Sequence, residues 1–242
     1  MKMSDSEPIY RRILLKISGE ALMNQGKYVI DPEVLTRITA DVSEVYRLGT
    51  QIAIVIGGGN FFRGAALSEV GIDRITGDYM GMLATLMNAL ALRDAFERSA
   101  LPVRILSAIE MTGIADQFHR RKAIHHLQQG RIVIFAAGTG NPLVTTDSAA
   151  SLRGLEIGVD VVLKATHVDG VYSSDPAKDP NAVFYKKITF EEALNKELAV
   201  MDLAAFCQCR DYKMPLRIFN INKQGALLRV IMGEDEGTLV EN

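Results

Sequence analysis

The chain has 242 residues, a net charge of −2, 48% hydrophobic and 23% charged residues, and two cysteines. That length allows one large core or two small ones, and the composition is that of an ordinary globular enzyme. The charge balance excludes a general nucleic-acid or membrane-surface binder, and no apolar run is long enough to span a bilayer.

The polar start, residues 1–8, reads as a flexible terminus without the apolar stretch of a signal peptide. A buried strand is expected over 12–17, ending in Lys16-Ile17-Ser18-Gly19-Glu20. A lysine at such a strand end can project its ammonium over the sheet edge, where phosphate oxygens would meet it and the Ser18 and Gly19 amides. Taken alone, a solvated strand-end lysine is the simpler reading. Asp31 and Pro32 mark a helix start as N-cap and N1. Val34, Leu35, Ile38, Val42, Val45 and Leu48 give that helix an apolar stripe, and Gly49 stops it.

A second strand, 51–56, runs into Gly57-Gly58-Gly59-Asn60-Phe61-Phe62-Arg63-Gly64. Glycines permit positive φ and let a ligand approach the backbone, and Arg63 adds a planar fork for phosphate. A dinucleotide fingerprint counted from Gly57 needs glycine where Phe62 stands. A P-loop counted from Gly59 needs lysine where Ala65 stands. A long helix rich in Met, Leu and Ala is expected over 80–99, closed by Pro102. Asp78, just before it, reads as a helix-start acid or as an acceptor for a sugar's hydroxyls. A strand over 103–107, a helix over 119–129 and a strand over 131–137 follow.

The most informative stretch is Gly138-Thr139-Gly140-Asn141-Pro142-Leu143-Val144-Thr145-Thr146-Asp147. It joins that strand to a helix over 148–157 that Gly158 stops. Its backbone N–H groups would stand beside the positive end of the helix dipole, a seat for phosphate. Asp147 is a first-turn acid by position, or a group that orients a lysine or helps place Mg²⁺. A strand over 160–165 then carries Lys164, a second candidate cation. It leads into Thr166-His167-Val168-Asp169-Gly170-Val171-Tyr172-Ser173-Ser174-Asp175-Pro176, where Tyr172 can pack on a base and Asp175 can hold a ribose. Residues 169–187 read as a loop or hairpin. Helices over 190–198, 203–212 and 224–232 and strands over 216–220 and 238–241 complete the chain.

The four histidines show no ligand spacing. Cys207 and Cys209 point to different faces of one helix and are expected to be free thiols in a reducing cytoplasm. The strand–helix alternation predicts an α/β fold, a three-layer αβα sandwich with a mainly parallel central sheet, as one domain over 9–242. Ligands in such sheets bind at the carboxyl ends of the strands, and each loop singled out follows a strand.

Lys16 to Leu22, Val55 to Asn60, Gly77-Asp78 with Met80 to Thr85, the 138–150 stretch, the 164–176 stretch and Met201-Asp202-Leu203-Ala204-Ala205 together resemble the amino-acid-kinase superfamily and, within it, the bacterial uridylate kinases. The resemblance implies a carbamate-kinase-like fold and transfer of the γ-phosphoryl of ATP to UMP with Mg²⁺, in pyrimidine nucleotide synthesis. By position, Lys16, Ile17, Ser18 and Gly19 contact ATP phosphates, and Gly59 and Arg63 serve the same side. Thr166, Tyr172 and Asp175 hold the ATP nucleoside. Gly58, Asp78, Thr139, Gly140, Asn141, Pro142, Leu143, Val144, Thr145 and Thr146 bind UMP, and Asp147 organises the catalytic lysine. It also implies a homohexamer activated by GTP and inhibited by UTP, with Arg93, Arg104 and Arg131 at the effector site. Against GTP activation stand Glu97, where a histidine is expected, and the 24–29 stretch, which keeps one glycine. No dedicated metal cage, membrane or nucleic acid is implied. Two rivals are a kinase of this scaffold acting on a carboxylate or carbamate, and a non-catalytic nucleotide sensor.

Overall fold

The computed structural model describes residues 7–24, 28–62 and 71–242. Its strands are β1 (Arg12–Ile17), β2 (Gln51–Ile56), β3 (Val103–Ser107), β4 (Asp116–Gln117), β5 (Ile132–Ala136), β6 (Val161–Thr166), β7 (Val171–Tyr172), β8 (Phe184–Tyr185), β9 (Lys187–Thr189), β10 (Leu216–Asn220) and β11 (Thr238–Glu241). Nine of these form one sheet in the order β4-β3-β5-β2-β1-β6-β10-β11-β9, and β7 and β8 form a separate antiparallel hairpin. All pairings in the sheet are parallel except β10 with β11. The mainly parallel sheet is therefore as the alternation predicts. The short edge strands β4 and β9 carry no readable alternation and were not expected.

The helices are α1 (Pro32–Arg47), α2 (Arg74–Arg98), α3 (Arg120–Gln128), α4 (Thr146–Ile157), α5 (Phe190–Asn195), α6 (Leu203–Asp211) and α7 (Ala226–Ile231), with a 3-10 turn at Gly19–Leu22. Period-two alternation divides them between two layers. Ile13, Leu15 and Ile17 of β1 pack with α1, α2 and α7, while Leu14 packs on the other face with α3, α4, α5 and α6. Lys16 shares the parity of Leu14, and Lys164 that of Val162, so both lysines project toward α4.

Helix starts follow their caps. The Asp31 carboxylate accepts from the Glu33 and Val34 amides, and α4 ends at Gly158 with φ +65°. The expected 80–99 helix begins six residues earlier, because the Asp73 carboxylate caps it through the Thr76 amide. Asp78 therefore sits inside the second turn and not at a helix start. The expected helix over 190–198 stops at Asn195, with Glu197 at φ +52°, and that over 224–232 begins only after Gly225 at φ +71°. Of the expected flexible start, residues 1–6 lie outside the described residues, and the Ile9 amide donates to the Ile231 carbonyl at 3.0 Å. No helix among the described residues is long and apolar enough to cross a membrane.

Candidate active site

The sheet register sets two lysines side by side. Lys16 of β1 pairs with Lys164 of β6, one residue before β1 ends and two before β6 does. Two like charges on neighbouring strands of one face need a counter-charge, and Asp147 in the first turn of α4 supplies it. Lys16 Nζ lies 2.9 Å from Asp147 Oδ1, and Lys164 Nζ lies 2.7 Å from Oδ2. Oδ1 is buried with no donor aligned on it, so the Lys16 contact is ionic, whereas Lys164 hydrogen-bonds Oδ2 and also donates to the Val200 carbonyl at 2.7 Å. Burial pushes the Asp147 carboxyl up, but the two ammonium groups outweigh it and hold the group below the usual carboxylate range. Burial lowers Lys164, and Asp147 only partly restores it.

Asp147 is fixed by its own helix end. Thr145 caps α4 by accepting from the Ser148 amide at 3.1 Å and donates its hydroxyl to Asp202. Ser148 donates to the same carboxylate at 3.1 Å, and Asp202 in turn caps α6 through the Ala205 amide. One carboxylate thus joins the starts of two helices on either side of Val200 and Asp147. Asp202 belongs to a stretch that carried the resemblance, but its local signal is only a helix cap. Cys209 on α6 is pushed up to about 12 by burial and by Asp147 and Asp202, so it is a packed thiol, not a nucleophile.

Two clefts open on either side of this trio. One, of about 520 Å³, is lined by Gly58, Gly59, Asp78, Gly81, Thr85, Thr139, Leu143, Val144, Thr145 and Thr146 among others. It gathers seven of the ten residues assigned to UMP, together with Gly59, which was assigned to the ATP side. Gly140, Asn141 and Pro142 lie further out in the loop. The loop is held in shape by hydrogen bonds from α2. Asp78 accepts from the Leu143 amide at 2.9 Å and is paired with Arg74 at 3.1 Å. Leu143 has φ +65° and an exposed side chain, a strain of roughly 1–2 kcal/mol that the Asp78 bond helps sustain. Thr85 accepts from the Ala137 amide at 2.7 Å, where φ is +61°.

The second cleft, of about 460 Å³, is lined by Lys164, Thr166, Gly170, Tyr172, Asp175, Pro176 and Ile218, with residues 197–200 as its far wall. Thr166, Tyr172 and Asp175 meet here as expected. The 197–200 wall was not foreseen, because nothing in its sequence is periodic or charged enough to announce it.

The Gly57 loop differs from its expectation. None of its three glycines has positive φ. A Cβ on Gly58 would stand 2.4 Å from the Gly81 carbonyl of α2, and one on Gly19 would stand 2.7 Å from the Gly59 amide. These glycines let the chain's own backbones touch. Asn88, fully buried on α2, donates to the Gly57 carbonyl at 2.7 Å and pairs with the Asn60 amide at 2.8 Å. Its signal was present as the one amide in an uncharged run from 79 to 92. Arg63 lies outside the described residues, as do residues 25–27 of the 24–29 stretch. Arg93, Glu97 and Arg104 line a hollow of about 310 Å³. Arg131 does not line it, and bonds His126 at 3.0 Å instead.

Residues 11–220 match the amino acid kinase family. The chain is 79% identical to the uridylate kinase of Coxiella burnetii over 97% of both chains, and 60% identical to that of Ectopseudomonas mendocina over 98% of this chain and 96% of the other. Among solved structures it superposes on the UMP kinase of Bacillus anthracis with a TM-score of 0.93 at 38% identity, each chain covered to 96%. It superposes on that of Ureaplasma parvum with a TM-score of 0.91 at 35% identity, with 96% of this chain and 99% of the other covered. With the sheet order, the paired lysines and the two flanking clefts on the same footing, the chain belongs to the amino acid kinase family.

Proposed function

We propose that this chain transfers the γ-phosphoryl of ATP to UMP, giving ADP and UDP, a step of de novo pyrimidine nucleotide synthesis. The observation that carries the reading is the Lys16–Asp147–Lys164 trio set between two clefts at the carboxyl ends of the strands. ATP lies with its nucleoside in the 164–176 cleft and its phosphates over residues 16–19. UMP lies in the 138–146 cleft with its ribose near Asp78. In-line transfer spreads charge over the γ-phosphoryl oxygens and the leaving β-phosphate, so the protein's task is alignment and positive charge. Lys16 and Lys164 supply that charge, and Asp147 keeps both ammonium groups together. The UMP phosphate is nucleophilic at neutral pH, so no general base is required.

The residues present fit Mg²⁺ that arrives on the nucleotide. Asp147 is engaged by Lys16 at 2.9 Å and by Lys164 at 2.7 Å, so a Mg²⁺ here would be held chiefly by the nucleotide's own phosphate oxygens, with Asp147 as its nearest carboxylate. When bound, Mg²⁺ neutralises charge on the β- and γ-phosphate oxygens. Residues 9–242 act as one catalytic unit in a soluble cytoplasmic enzyme. The exposed apolar row Ile75, Tyr79, Leu83 and Met87 along one side of α2 supports association between copies, for which the family resemblance gives a homohexamer. Effector binding by GTP or UTP is placed at the Arg93–Arg104 hollow, with Glu97 in it weakening the case for GTP activation.

The test is ADP release measured in parallel with UMP, CMP, aspartate and glutamate, with and without GTP. UMP-selective turnover is expected. Turnover on an amino acid instead, or UMP binding without transfer, overturns the reading. In the same assay Lys16→Ala lowers turnover about 10²- to 10³-fold with folding intact. Near-normal turnover of a folded variant removes Lys16 from the chemistry.

A further inference from the structure

Thr238 opens β11 at the far end of the row that holds the lysines. Across the sheet, Lys16 pairs with Lys164, Lys164 with Ile218, and Ile218 with Thr238. Val240, two residues on, packs in the same core as Ile218, so Thr238 faces the layer that contains Asp147.

The Thr238 side chain is fully buried, and its hydroxyl is used in both directions. It accepts from the Val171 amide at 2.8 Å and donates to the Tyr185 carbonyl. Those groups lie on opposite strands of the β7–β8 hairpin. The hairpin pairs only Val171 with Tyr185 and Tyr172 with Phe184, extended by two bonds between Ser173 and Val183. It is too short to hold its own geometry, so its position depends on ties to β11: the Thr238 hydroxyl and the Leu239 amide, which donates to the Lys186 carbonyl at 3.0 Å. The fit is close. A Cβ on Gly170 would stand 2.4 Å from Thr238 Oγ1 and 2.8 Å from Phe184 Cε2. Tyr172, which lines the second cleft, packs at a tilt against Phe184 with ring centroids 5.3 Å apart. Thr238 itself does not line that cleft.

We infer that Thr238 is a positioning residue for the donor nucleoside: its hydroxyl fixes the hairpin that presents Tyr172 and leads to Asp175, and so sets the affinity for ATP without touching it. A valine at 238 keeps the volume but leaves a buried amide and a buried carbonyl without partners, so the hairpin would have to move to find new ones. The UMP cleft and the lysine trio share no hydrogen bond with Thr238 and should not respond.

The inference rests on the proposed ATP side of the site. Thr238→Val, Thr238→Ser and Thr238→Ala are compared with the unaltered chain by steady-state kinetics and by calorimetric ATP binding. Thr238→Val is expected to raise both the KM and the Kd for ATP about three- to tenfold, the span of one or two lost hydrogen bonds. The KM for UMP and kcat at saturating ATP stay near their starting values, and Thr238→Ser restores ATP binding. Unchanged ATP affinity in Thr238→Val overturns the inference, as does an equal loss for UMP that serine fails to rescue. If the valine variant does not fold, Thr238→Ala, which removes the hydroxyl without altering the cleft wall, decides. Weakened ATP binding with UMP unaffected supports the inference, and unaltered ATP binding ends it. If the unaltered chain turns over no UMP, the proposed function falls, while the calorimetry still reads the role of Thr238.

Discussion

Gly57, Gly58 and Gly59 keep ordinary backbone angles and are crowded by the chain itself, with Gly58 against the Gly81 carbonyl and Gly59 against Glu20. Gly138 and Gly140 sit at φ +57° and +83°, and around Gly138 nothing lies within 4 Å of where a Cβ would be. The loops also end differently. The first is closed by a neutral amide pair, Asn60 with Asn88, and the second by Asp147 between two ammonium groups. Two glycine-rich loops at the same edge of one sheet thus answer different demands. The first lets three backbone segments touch, and the second bends the chain around an open cleft and delivers a charge. Gly58 and Gly59 line the same cleft as the second loop, yet their lack of a side chain is already required by the chain's own packing, and the φ values separate the two demands.

The charged end should give the largest effect. Asp147→Asn leaves Lys16 and Lys164 adjacent with no counter-charge, and loss of one partner from a buried pair costs about 3–5 kcal/mol. The sign with pH follows from the depressed carboxyl. Its contribution is complete above the unfolded value near 3.8 and is lost as pH falls through the lower folded value. Urea unfolding at pH 7 and again near pH 3 should therefore show a wide gap between the two proteins that closes on the acid side. A gap that persists unchanged into acid would mean that the carboxylate's charge is not what joins the strands to α4.

Gly58→Ala probes the crowded loop. Its Cβ would meet the Gly81 carbonyl at 2.4 Å and the Thr85 amide at 3.2 Å, both backbone groups of α2 that cannot rotate away. Overpacking of this kind costs about 1–3 kcal/mol. Displacement of α2 carries Asp78 and Thr85 with it, so UMP affinity should fall along with stability. Unlike the Asp147 effect, this loss should be the same at pH 7 and in acid. Thermal melts with UMP titrations of the same samples check both points, and a variant as stable as its parent would show that α2 yields at Gly81.

What the sequence made legible divides along the same line. Strand ends, caps and stops are local, and β1, β2, α1, β10 and the αL stop at Gly158 lie where composition and capping residues place them. Lys16 and Asp147 were each readable as candidates from their strand end and helix start, but nothing local said that they meet each other and Lys164, because that meeting depends on the sheet register. The ties that hold the site span far longer separations: Asn88 to Gly57, Ser148 to Asp202, Thr238 to Val171. Each partner is a common polar residue whose meaning depends on packing, and periodicity carries no record of that. The start of α2 was misplaced for a related reason. The expected start at residue 80 follows the apolar run, whereas the helix begins at its Asp73 cap and runs through Gly77, and Gly81 inside it is the surface against which Gly58 packs.

Gly138→Ala is the mildest change and separates conformation from ligand contact. With open space around the added methyl, the only cost in the free protein is the positive φ, roughly 1 kcal/mol. Stability should fall by about that amount, and the Thr145 cap, the Asp147 contacts and the Asp78 bond to Leu143 should persist, because each begins at least five residues further along. If backbone bending is the whole requirement at 138, the KM for UMP changes little. A large rise in KM with only that small loss in stability would assign the glycine to the ligand, because the open space at 138 is then space that UMP fills. Both loops line the cleft, and they would then differ in why glycine is needed there, open space for the nucleotide at 138 and close backbone packing at 58.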